Sequence, residues 1–424
     1  MLVRLPESLR RTPQGREAEA ILRSCVHCGF CNATCPTYQL LGDELDGPRG
    51  RIYLIKNLLE GDTGPEATRR HLDRCLTCLS CETTCPSGVR YGQLLEIGRE
   101  HLESNHPRPW HERLLRRGLR LLLTRPRLLR RLLPLGRAAG PLLPKSLHPY
   151  LRAARPAPPW PRTPHHSPGT TGNHGAKHTG TASSGRRMIL LEGCAQAALR
   201  PDLNVHTARL LQRLEITALR SSRGGCCGAL SLHLGARAEA RHLARANIDA
   251  WWPQVEAGAE AIVSHASACS LMLKDYGRLL ADDAAYRDKA ARIAALSRDL
   301  TEVLAAEEIA ALRPRHAKTV AFHAPCTLQH GLGLAAPAED LLRRCGLRLL
   351  PVADAHLCCG AAGTYSLLQP DLSHRLRERK LAALTREGPD CIATANIGCL
   401  LHLQGAAEIP VRHWLELLVE EDED

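Results

Sequence analysis

Hydrophobic and polar positions change their pattern along the chain, and the changes divide it into regions. Residues 1–107 mix apolar and polar positions around two runs of cysteine. Residues 108–187 begin Arg/Leu-rich and end in a Pro/His/Gly/Ser/Thr-rich stretch, which has too few apolar residues to bury a core and predicts a flexible linker. Residues 188–424 return to short apolar runs that alternate with helical segments.

The C-terminal region predicts the order strand–helix–strand–helix–strand twice. The apolar runs predicted as strands are 188–191, 216–219, 261–263, 319–322, 347–352 and 391–394, and the predicted helices include 203–214 and 236–251. Strands that alternate with helices indicate a parallel sheet. Because ligands of such sheets collect at the carboxyl ends of the strands, the cysteines that follow these runs should converge.

Cysteine spacing indicates that this region is a duplication. The first three cysteines of one set each lie 132 residues before a counterpart, and the fourth lies 130 residues before its own. We predict two copies of one domain, at 188–314 and 315–424, with their boundary near 312–318. The two sets are Cys194, Cys226, Cys227 and Cys269, and Cys326, Cys358, Cys359 and Cys399.

Each copy contains a Cys-Cys-Gly (CCG) sequence whose adjacent thiols could bind one metal. Side chains alternate along a strand, but in a turn both cysteines can face one site, with Gly228 or Gly360 adopting a backbone angle that other residues resist. Four thiolates per copy suit an iron–sulfur cluster or Zn²⁺. The alternative is that these cysteines pack as small hydrophobic residues, our interpretation of Cys345 and Cys391, which have no repeat partner.

The N-terminal cysteines follow the spacing C-x2-C-x2-C-x3-C-P twice. This is the bacterial two-cluster ferredoxin pattern, in which the fourth cysteine of each run ligates the other cluster. Zinc also takes four thiolates, but its sites usually show pairs of CxxC without trailing prolines. We therefore predict two [4Fe–4S] clusters, cluster one on Cys25, Cys28, Cys31 and Cys85, and cluster two on Cys75, Cys78, Cys81 and Cys35.

Basic and polar residues near the predicted sites have two interpretations each. Arg49 and Arg51 are expected near cluster one, where a cation would raise the reduction potential of the cluster. The alternative is that they lie at the solvated start of a helix. His265, His323 and His356 could relay protons or bond cluster sulfurs, but lone histidines are more often hydrogen-bonded structural groups.

Composition favours metal over disulfides. The chain has 18 cysteines among 424 residues, and its N-terminus shows no signal-peptide pattern, so we expect a cytoplasmic protein with reduced thiols. No stretch approaches the length of an apolar membrane span. No nicotinamide fingerprint, Walker loop or Ser/His/Asp constellation stands out, so we predict electron transfer without a catalytic side chain.

The net charge of +12 has a local source in residues 113–131, where eight arginines lie among leucines. A basic amphipathic helix, interrupted by Gly118 and Pro126, would favour the anionic inner face of the cytoplasmic membrane. The alternative is a helix that packs on a partner subunit or on the ferredoxin module. The segment lacks an aromatic platform, which argues against nucleic acid as a partner.

Several segments together resemble the iron–sulfur subunits of bacterial glycolate oxidase (glycolate dehydrogenase). The resemblance covers nearly the whole chain except 108–187. The segments that carry it are 24–56 (SCVHCGFCNATCPTYQLLGDELDGPRGRIYLIK), 71–91, 191–196 (LEGCAQ), 247–253, 356–365 (HLCCGAAGTY), 394–399 (TANIGC) and 411–414 (VRHW).

The resemblance implies a multi-subunit enzyme in which flavin-binding (FAD) partner subunits oxidise glycolate to glyoxylate. This subunit would accept electrons from the flavin and pass them toward a membrane acceptor such as quinone. The duplicated domains also resemble those of heterodisulfide reductases, whose sites use C…CCG…CxxC. Ala266 and Asn396 replace the first cysteine of each CxxC here, which argues against a five-cysteine site and disulfide-reducing chemistry.

The predicted fold class is α+β and multidomain. A mainly helical two-[4Fe–4S] ferredoxin-like domain at 1–107 is followed by the basic segment and linker at 108–187, then by two duplicated α/β CCG domains with parallel strands. Three functions compete with the glycolate oxidase subunit. They are an electron-transfer subunit of another flavin dehydrogenase (glycerol-3-phosphate or lactate), a heterodisulfide-reductase-like catalytic subunit, and a cluster-free zinc scaffold.

Overall fold

A computed structural model describes residues 1–61, 64–140, 148–161, 185–221, 223–309, 312 and 319–419. Most of the predicted linker, residues 162–184, lies outside the described residues. So do residues 313–318, which contain most of the predicted boundary between the two CCG copies.

The N-terminal region is helical, as predicted. Prolines occupy the first position of several of its helices (Pro13, Pro36, Pro48 and Pro65), where a missing N–H costs nothing. Pro36 thus turns the chain into a new helix directly after Cys35. The helices are α1 Glu7–Arg10, α2 Pro13–Ser24, α3 Phe30–Ala33, α4 Pro36–Leu41, α5 Pro48–Glu60, α6 Pro65–Asp73, α7 Ser80–Thr83 and α8 Tyr91–Asn105, with a 3-10 helix at Glu44–Asp46.

The basic segment forms two helices, α9 Trp110–Leu123 and α10 Pro126–Ala138, and a short helix α11 His148–Ala153 follows. Gly118 lies inside α9, whereas Pro126 begins α10, so the chain breaks at the proline and not at the glycine. Leu129 and Leu133 bury the inner face of α10 against Ala198 and Leu199 of the first CCG copy.

Each CCG copy contains a four-stranded parallel sheet, which confirms the predicted α/β class. The first strand of each copy lies inside its sheet, between the second strand and the third. The orders are β2-β1-β3-β4 and β6-β5-β7-β8. The strands are β1 Arg187–Leu190, β2 Thr217–Leu219, β3 Ala261–Ser264, β4 Ser297–Asp299, β5 Thr319–His323, β6 Arg348–Leu350, β7 Cys391–Thr394 and β8 Val411–His413.

Helices cover the two sheets and join their strands. Those of the first copy are α12 Ala195–Leu199, α13 Asp202–Arg213, α14 Ala229–His233, α15 Arg237–Glu256, α16 Ser267–Lys274, α17 Tyr276–Leu279, α18 Arg287–Leu296 and α19 Leu300–Ala305. Those of the second are α20 Ala335–Arg344, α21 Tyr365–Leu368, α22 Pro370–Thr385 and α23 Ile397–Gln404, with a π-helical turn at Thr327–Gly331 and a 3-10 helix at Trp414–Leu417.

The two copies share a core. Met188 and Val263 of the first sheet belong to the same buried cluster as Val320 and Ala393 of the second. Ser267 Oγ and Thr327 Oγ1 lie 2.7 Å apart across the junction, at the carboxyl ends of both sheets. Among the described residues, none of the helices has both the length and the apolar content to cross a bilayer.

Candidate iron–sulfur sites

The first N-terminal cavity is lined by five cysteines from both runs, the four predicted for cluster one together with Cys81. Cys25, Cys28 and Cys31 line it from the first loop, and Cys85 lines it from the second. The cavity has a volume of about 420 Å³, including space open to solvent. The cavity therefore includes the grouping predicted for cluster one.

The second cavity groups the remaining cysteines around about 300 Å³ of space that also opens to solvent. Cys75, Cys78 and Cys81 line it from the second loop, and Cys35 lines it from the first. Cys81 also borders the first cavity, so the two sites are neighbours. The structure therefore places the fourth cysteine of each run in the cavity of the other.

Left-handed backbone conformations curl both cysteine loops. The two residues that flank the second cysteine have positive φ in each run: His27 and Gly29 (56° and 86°), and Thr77 and Leu79 (54° and 63°). Such angles are unfavourable for Thr and Leu, so the surrounding structure must hold them in place. The curl directs N–H groups at sulfur, since Thr77 N lies 3.5 Å from Cys75 Sγ. The same contact forms between Val89 N and Cys85 Sγ.

Buried cations surround the second cavity. Arg51 Nη1 lies 3.9 Å from Cys35 Sγ, and its Nη2 donates to Thr37 Oγ1 at 3.0 Å. Burial by itself would raise the pKa of Cys75, but the charges of Arg51 and Arg99 outweigh it and lower that pKa. The arginine charges therefore favour the thiolate of Cys75, the form that binds metal, whereas burial raises the pKa of Cys78 and Cys81 in the same cavity.

Arg49 and Arg51 face different cavities, which corrects the expectation that both lie near cluster one. Arg49 lines the first cavity, where its Nε donates to Glu44 Oε1 at 2.6 Å. Arg51 lines the second cavity and is fully buried.

The four cysteines of the first CCG copy form a chain of neighbouring thiols. Cys194 hydrogen-bonds with Cys226, Cys226 with Cys227, and Cys227 with Cys269. The hydrogen bond to Cys226 and burial raise the pKa of Cys194 well above its usual range. Gly228 N lies 3.5 Å from Cys226 Sγ, and its φ of 95° is the backbone angle expected for this glycine.

The second copy repeats the arrangement. Cys326, Cys358, Cys359 and Cys399 form the same chain of hydrogen-bonded thiols. The hydrogen bond to Cys358 and burial raise the pKa of Cys326 well above its usual range. Gly360 has φ 92°, and a Cβ there would lie 2.6 Å from Ser373 O. A CCG site thus recurs at the carboxyl edge of each sheet.

His323 lies beside two thiols of the second CCG site. Its ring nitrogen lies within 4.8 Å of the Cys359 and Cys399 sulfurs, and the three form a group that could hold a metal ion. Its Nδ1 bonds Thr394 Oγ1 at 3.0 Å, while its buried Nε2 has no partner among the described residues. Burial lowers the pKa of His323 to about 3, so the ring is neutral.

His265 and His356 contact other groups. His265 Nδ1 lies 3.1 Å from Thr207 Oγ1, and its carbonyl oxygen is 3.2 Å from His413 Nε2. The carbonyl of His356 accepts from His330 Nε2 at 2.9 Å. The side-chain contact of His265 agrees with the structural role that the sequence favoured for lone histidines, whereas the contact of His356 is made by its backbone.

The second cavity of the ferredoxin region adjoins the second CCG site. Leu76 and Cys78 belong to one apolar cluster with Cys326, Cys358 and Tyr365. Polar contacts fix the same interface, since Arg379 Nη1 donates to Gln39 Oε1 at 2.7 Å. The sequence did not predict this neighbour, because nothing in the spacing says which CCG copy packs on the ferredoxin region.

The ferredoxin region fits two clusters. Each cavity presents the four cysteines predicted for its cluster, curled loops and an N–H group near sulfur, and the second adds the buried Arg51, whose charge lowers the pKa of Cys75. A cubane cluster requires four thiolate ligands, and N–H groups and cations near the sulfurs tune its potential. Each CCG site presents four buried or partly buried thiols, and a hydrogen bond to the neighbouring thiol together with burial raises the pKa of Cys194 in the first site and of Cys326 in the second. A metal would deprotonate these thiols on binding. The donor set alone does not choose between iron–sulfur and zinc there.

Comparison with protein families agrees with this division of the chain. Residues 21–89 match the family described as 4Fe-4S dicluster domain. Residues 189–274 and 320–404 each match the family described as Cysteine-rich domain. The duplication inferred from cysteine spacing therefore corresponds to two matches of one family.

Comparison with curated proteins covers the chain from end to end. It is 49% identical over 422 residues to the glycolate oxidase iron-sulfur subunit of Escherichia coli (strain K12), across 99% of this chain and 98% of the relative. The chain belongs to the glycolate oxidase iron–sulfur subunit family. The resemblance seen in the sequence is thereby confirmed.

Other relatives of this glycolate oxidase iron–sulfur family member are more distant. A probable glycolate oxidase iron-sulfur subunit of Bacillus subtilis (strain 168) is 30% identical, over 92% of this chain and 90% of the relative. Lactate utilization protein A of an Exiguobacterium species is 30% identical, but over 55% of this chain and 97% of the relative. A crystal structure of a hypothetical protein from Helicobacter pylori shares the fold at 12% identity, with TM-score 0.52 over 96% of this chain and 73% of that one.

Proposed function

We propose that this chain is the iron–sulfur electron-transfer subunit of a glycolate oxidase complex. The observation that carries the proposal is its 49% identity, over nearly its whole length, to a subunit with that name. Flavin-binding partner subunits, with FAD, would oxidise glycolate to glyoxylate. This chain would take the two electrons released and pass them toward a membrane acceptor such as quinone.

The cysteine ligands proposed for this role are those grouped by the two N-terminal cavities. Cys25, Cys28, Cys31 and Cys85 would hold one [4Fe–4S] cluster, and Cys35, Cys75, Cys78 and Cys81 the other. Each cluster, when bound, supplies one-electron redox chemistry. The protein's own contribution is to hold the thiols in curled loops and to direct N–H groups and arginine charge at them. We propose no catalytic side chain in this chain.

We propose that the eight CCG cysteines hold a further iron–sulfur centre or zinc in each copy. Adjacency to Cys78 supports an iron–sulfur centre at the second copy, because a redox group there would lie beside the second ferredoxin cavity.

A glycolate assay of the purified complex tests the function. Glycolate should reduce an artificial dye and bleach the visible absorbance of the clusters, since its two electrons must pass through this chain one at a time. Faster dye reduction with lactate as substrate would favour the function named for the Lactate utilization protein A relatives. Faster dye reduction with glycerol-3-phosphate would favour a subunit of a glycerol-3-phosphate dehydrogenase. Disulfide reduction by the isolated chain would favour a heterodisulfide-type enzyme.

We further propose that α9 and α10 contact the anionic inner face of the cytoplasmic membrane. Leu114 and Leu135 are 63% and 65% exposed, and exposed arginines such as Arg113, Arg117 and Arg131 lie beside these leucines. Exposed leucine flanked by arginine complements an anionic lipid surface. The opposite face is anchored to the protein, where Arg116 Nη2 donates to Asp73 Oδ2 at 3.0 Å.

Cosedimentation with vesicles tests this contact. The wild type should bind vesicles of equal parts phosphatidylglycerol and phosphatidylcholine, and should bind pure phosphatidylcholine poorly. The double variant Leu114→Asp/Leu135→Asp should bind at least about tenfold more weakly, because each leucine contributes ~1.5–3 kcal/mol on burial. Leu2→Asp, which changes an equally exposed leucine outside the two helices, is the matched control. Unchanged vesicle binding with loss of the partner subunits would assign the surface to those subunits.

A further inference from the structure

The two CCG sites share four cysteines but differ in charge. Lys380 of α22 lies in the second copy, and its residue is only 2% exposed. Lys380 follows Leu376 by one turn of α22, and a Cβ at Gly360 would lie 3.0 Å from Leu376 Cβ, so this face of the helix packs on the CCG turn. Burial lowers the pKa of Lys380, against the charges of Cys326, Cys359 and Cys358, which raise it. A cation is therefore buried beside this set of thiols.

Lys380 has hydrogen bonds but no strong neutralising partner. Its Nζ donates to the carbonyl oxygens of Asp354 and Ala355, at 2.9 and 3.3 Å. It forms no ion pair with a carboxylate among the described residues. The carboxylate of Asp354 is half exposed and pairs instead with Arg379 Nη2 at 2.8 Å.

The first copy has a neutral group in the corresponding place. Helix α15 follows the first double cysteine as α22 follows the second, and it presents Asn247, which is buried. Asn247 Nδ2 donates to Cys226 O at 2.9 Å and to Tyr276 Oη at 3.0 Å. The last residue of β5, His323, is likewise matched by apolar Leu191 just after β1. The duplicated sites have thus diverged around an unchanged set of cysteines.

A buried, uncompensated ammonium group is costly unless the site provides negative charge. Four thiolates around a metal provide it, and an added electron increases it. In a low-dielectric interior this attraction is stronger than in water, and it favours the reduced state over the oxidised state. No comparable stabilisation comes from the amide of Asn247.

We propose that Lys380 raises the reduction potential of the iron–sulfur centre that Cys326, Cys358, Cys359 and Cys399 would hold, and so distinguishes the second CCG site from the first. The inference rests on the proposed presence of a redox centre at that site. It concerns the addition of one electron only, with no proton moved and no bond formed or broken. The second site, which also adjoins Cys78, would then be the more easily reduced of the two.

Anaerobic redox titration of the purified full-length chain, followed by EPR, tests the proposal, with iron and acid-labile sulfide counted in the same samples. Lys380→Met removes the charge and keeps the length of the side chain. It should lower the ratio of reduced to oxidised second-site centre at a fixed potential by about tenfold, which is 59 mV for a one-electron couple. Lys380→Arg should stay near the wild type. Lys289→Met, on the surface of the first copy, is the matched control.

The outcomes separate the role of Lys380 from the presence of the centre. Wild-type protein with only enough iron for the two ferredoxin clusters would reject the redox centre itself. Full iron in Lys380→Met with an unmoved potential would reject the role of Lys380 alone. Loss of the centre in Lys380→Met with retention in Lys380→Arg supports a requirement for charge. Loss in both variants would overturn the proposal, because hydrogen bonding and not charge would then be the requirement.

Discussion

Replacing Cys85 by serine should remove cluster one and leave cluster two, although Cys85 belongs to the second cysteine run. The reason is geometric, because Cys85 lines the cavity of Cys25, Cys28 and Cys31. Serine is a poor ligand for iron at neutral pH, so the variant should lose roughly half of the ferredoxin iron and sulfide. Cys35→Ser should produce the opposite loss. Both should reduce glycolate-dependent dye reduction by orders of magnitude, since electron transfer needs both centres.

EPR of the reduced protein distinguishes the two variants, and chemical analysis gives the amount of iron and sulfide lost. Cys345→Ala provides the control, since this buried cysteine lies in the shared core of the CCG copies and in neither ferredoxin cavity. It should keep full iron content. If Cys85→Ser lost the same signal as Cys75→Ser, each run would hold its own cluster and the crosswise assignment would fail. A colourless wild-type preparation without acid-labile sulfide would reject both clusters.

The features that depend on cysteine spacing were the most predictable part of this protein. The crosswise ligand sets were predicted from the two-cluster ferredoxin pattern, and the two cavities group the cysteines in a way that agrees with it, with Cys81 bordering both. The assignment of ligands to each cluster stays a prediction. The offset of 132 residues likewise predicted two similar sheets. Apolar runs in the sequence predicted where most strands lie. β7 has its predicted bounds, because a fully buried strand is a continuous run of apolar residues.

Two edge strands, β4 and β8, were missed for a physical reason, whereas the opposite edge strands β2 and β6 lie within the predicted runs 216–219 and 347–352. Both missed strands are too short and too polar to show a periodic hydrophobic pattern. β4 consists of Ser297, Arg298 and Asp299, and β8 consists of Val411, Arg412 and His413. Each strand leads directly into a capped helix. Asp299 caps α19 through Thr301 N, and His413 caps the last 3-10 helix through Leu415 N. Such pairing depends on the tertiary structure more than on local preference.

The sequence also did not predict the differences between the two CCG sites. The identical cysteine sets suggested equivalent sites, whereas Lys380 and Asn247 come from helices some distance along the chain from those cysteines. Only the packing of α15 and α22 against the sites reveals which residue faces the thiols.

The position of Arg51 shows how helix geometry overrides proximity in sequence. Arg49 and Arg51 are two residues apart on α5, and residues at this spacing point to opposite sides of a helix. Arg49 therefore reaches the first cavity and its solvent-exposed partner Glu44, while Arg51 turns inward to the second cavity. Two arginines close together in the sequence thus line two different cavities.

Arg51→Met should destabilise the protein strongly and lower the potential of cluster two. Arg51 and Asp46 are 1% and 0% exposed, and Arg51 Nε also donates to His71 O at 2.8 Å. Breaking a buried ion pair by removing one partner costs about 3–5 kcal/mol. Asp46 keeps Arg74, with Nη1 2.8 Å from Oδ2, so the lower end of that range is expected. The potential should fall because a cation 3.9 Å from Cys35 Sγ is lost.

Arg49→Met is the matched control for this substitution. The Arg49–Glu44 pair is partly exposed, and such pairs contribute ~0–1 kcal/mol. Anaerobic denaturation followed by circular dichroism should therefore separate the two variants by several kcal/mol, and EPR titration should show the potential of cluster two falling only in Arg51→Met. Equal denaturation midpoints would show that the buried pair adds little to stability. We assign Arg51 two roles, stabilising the fold and raising the reduction potential of cluster two. An unmoved potential would leave it only the first.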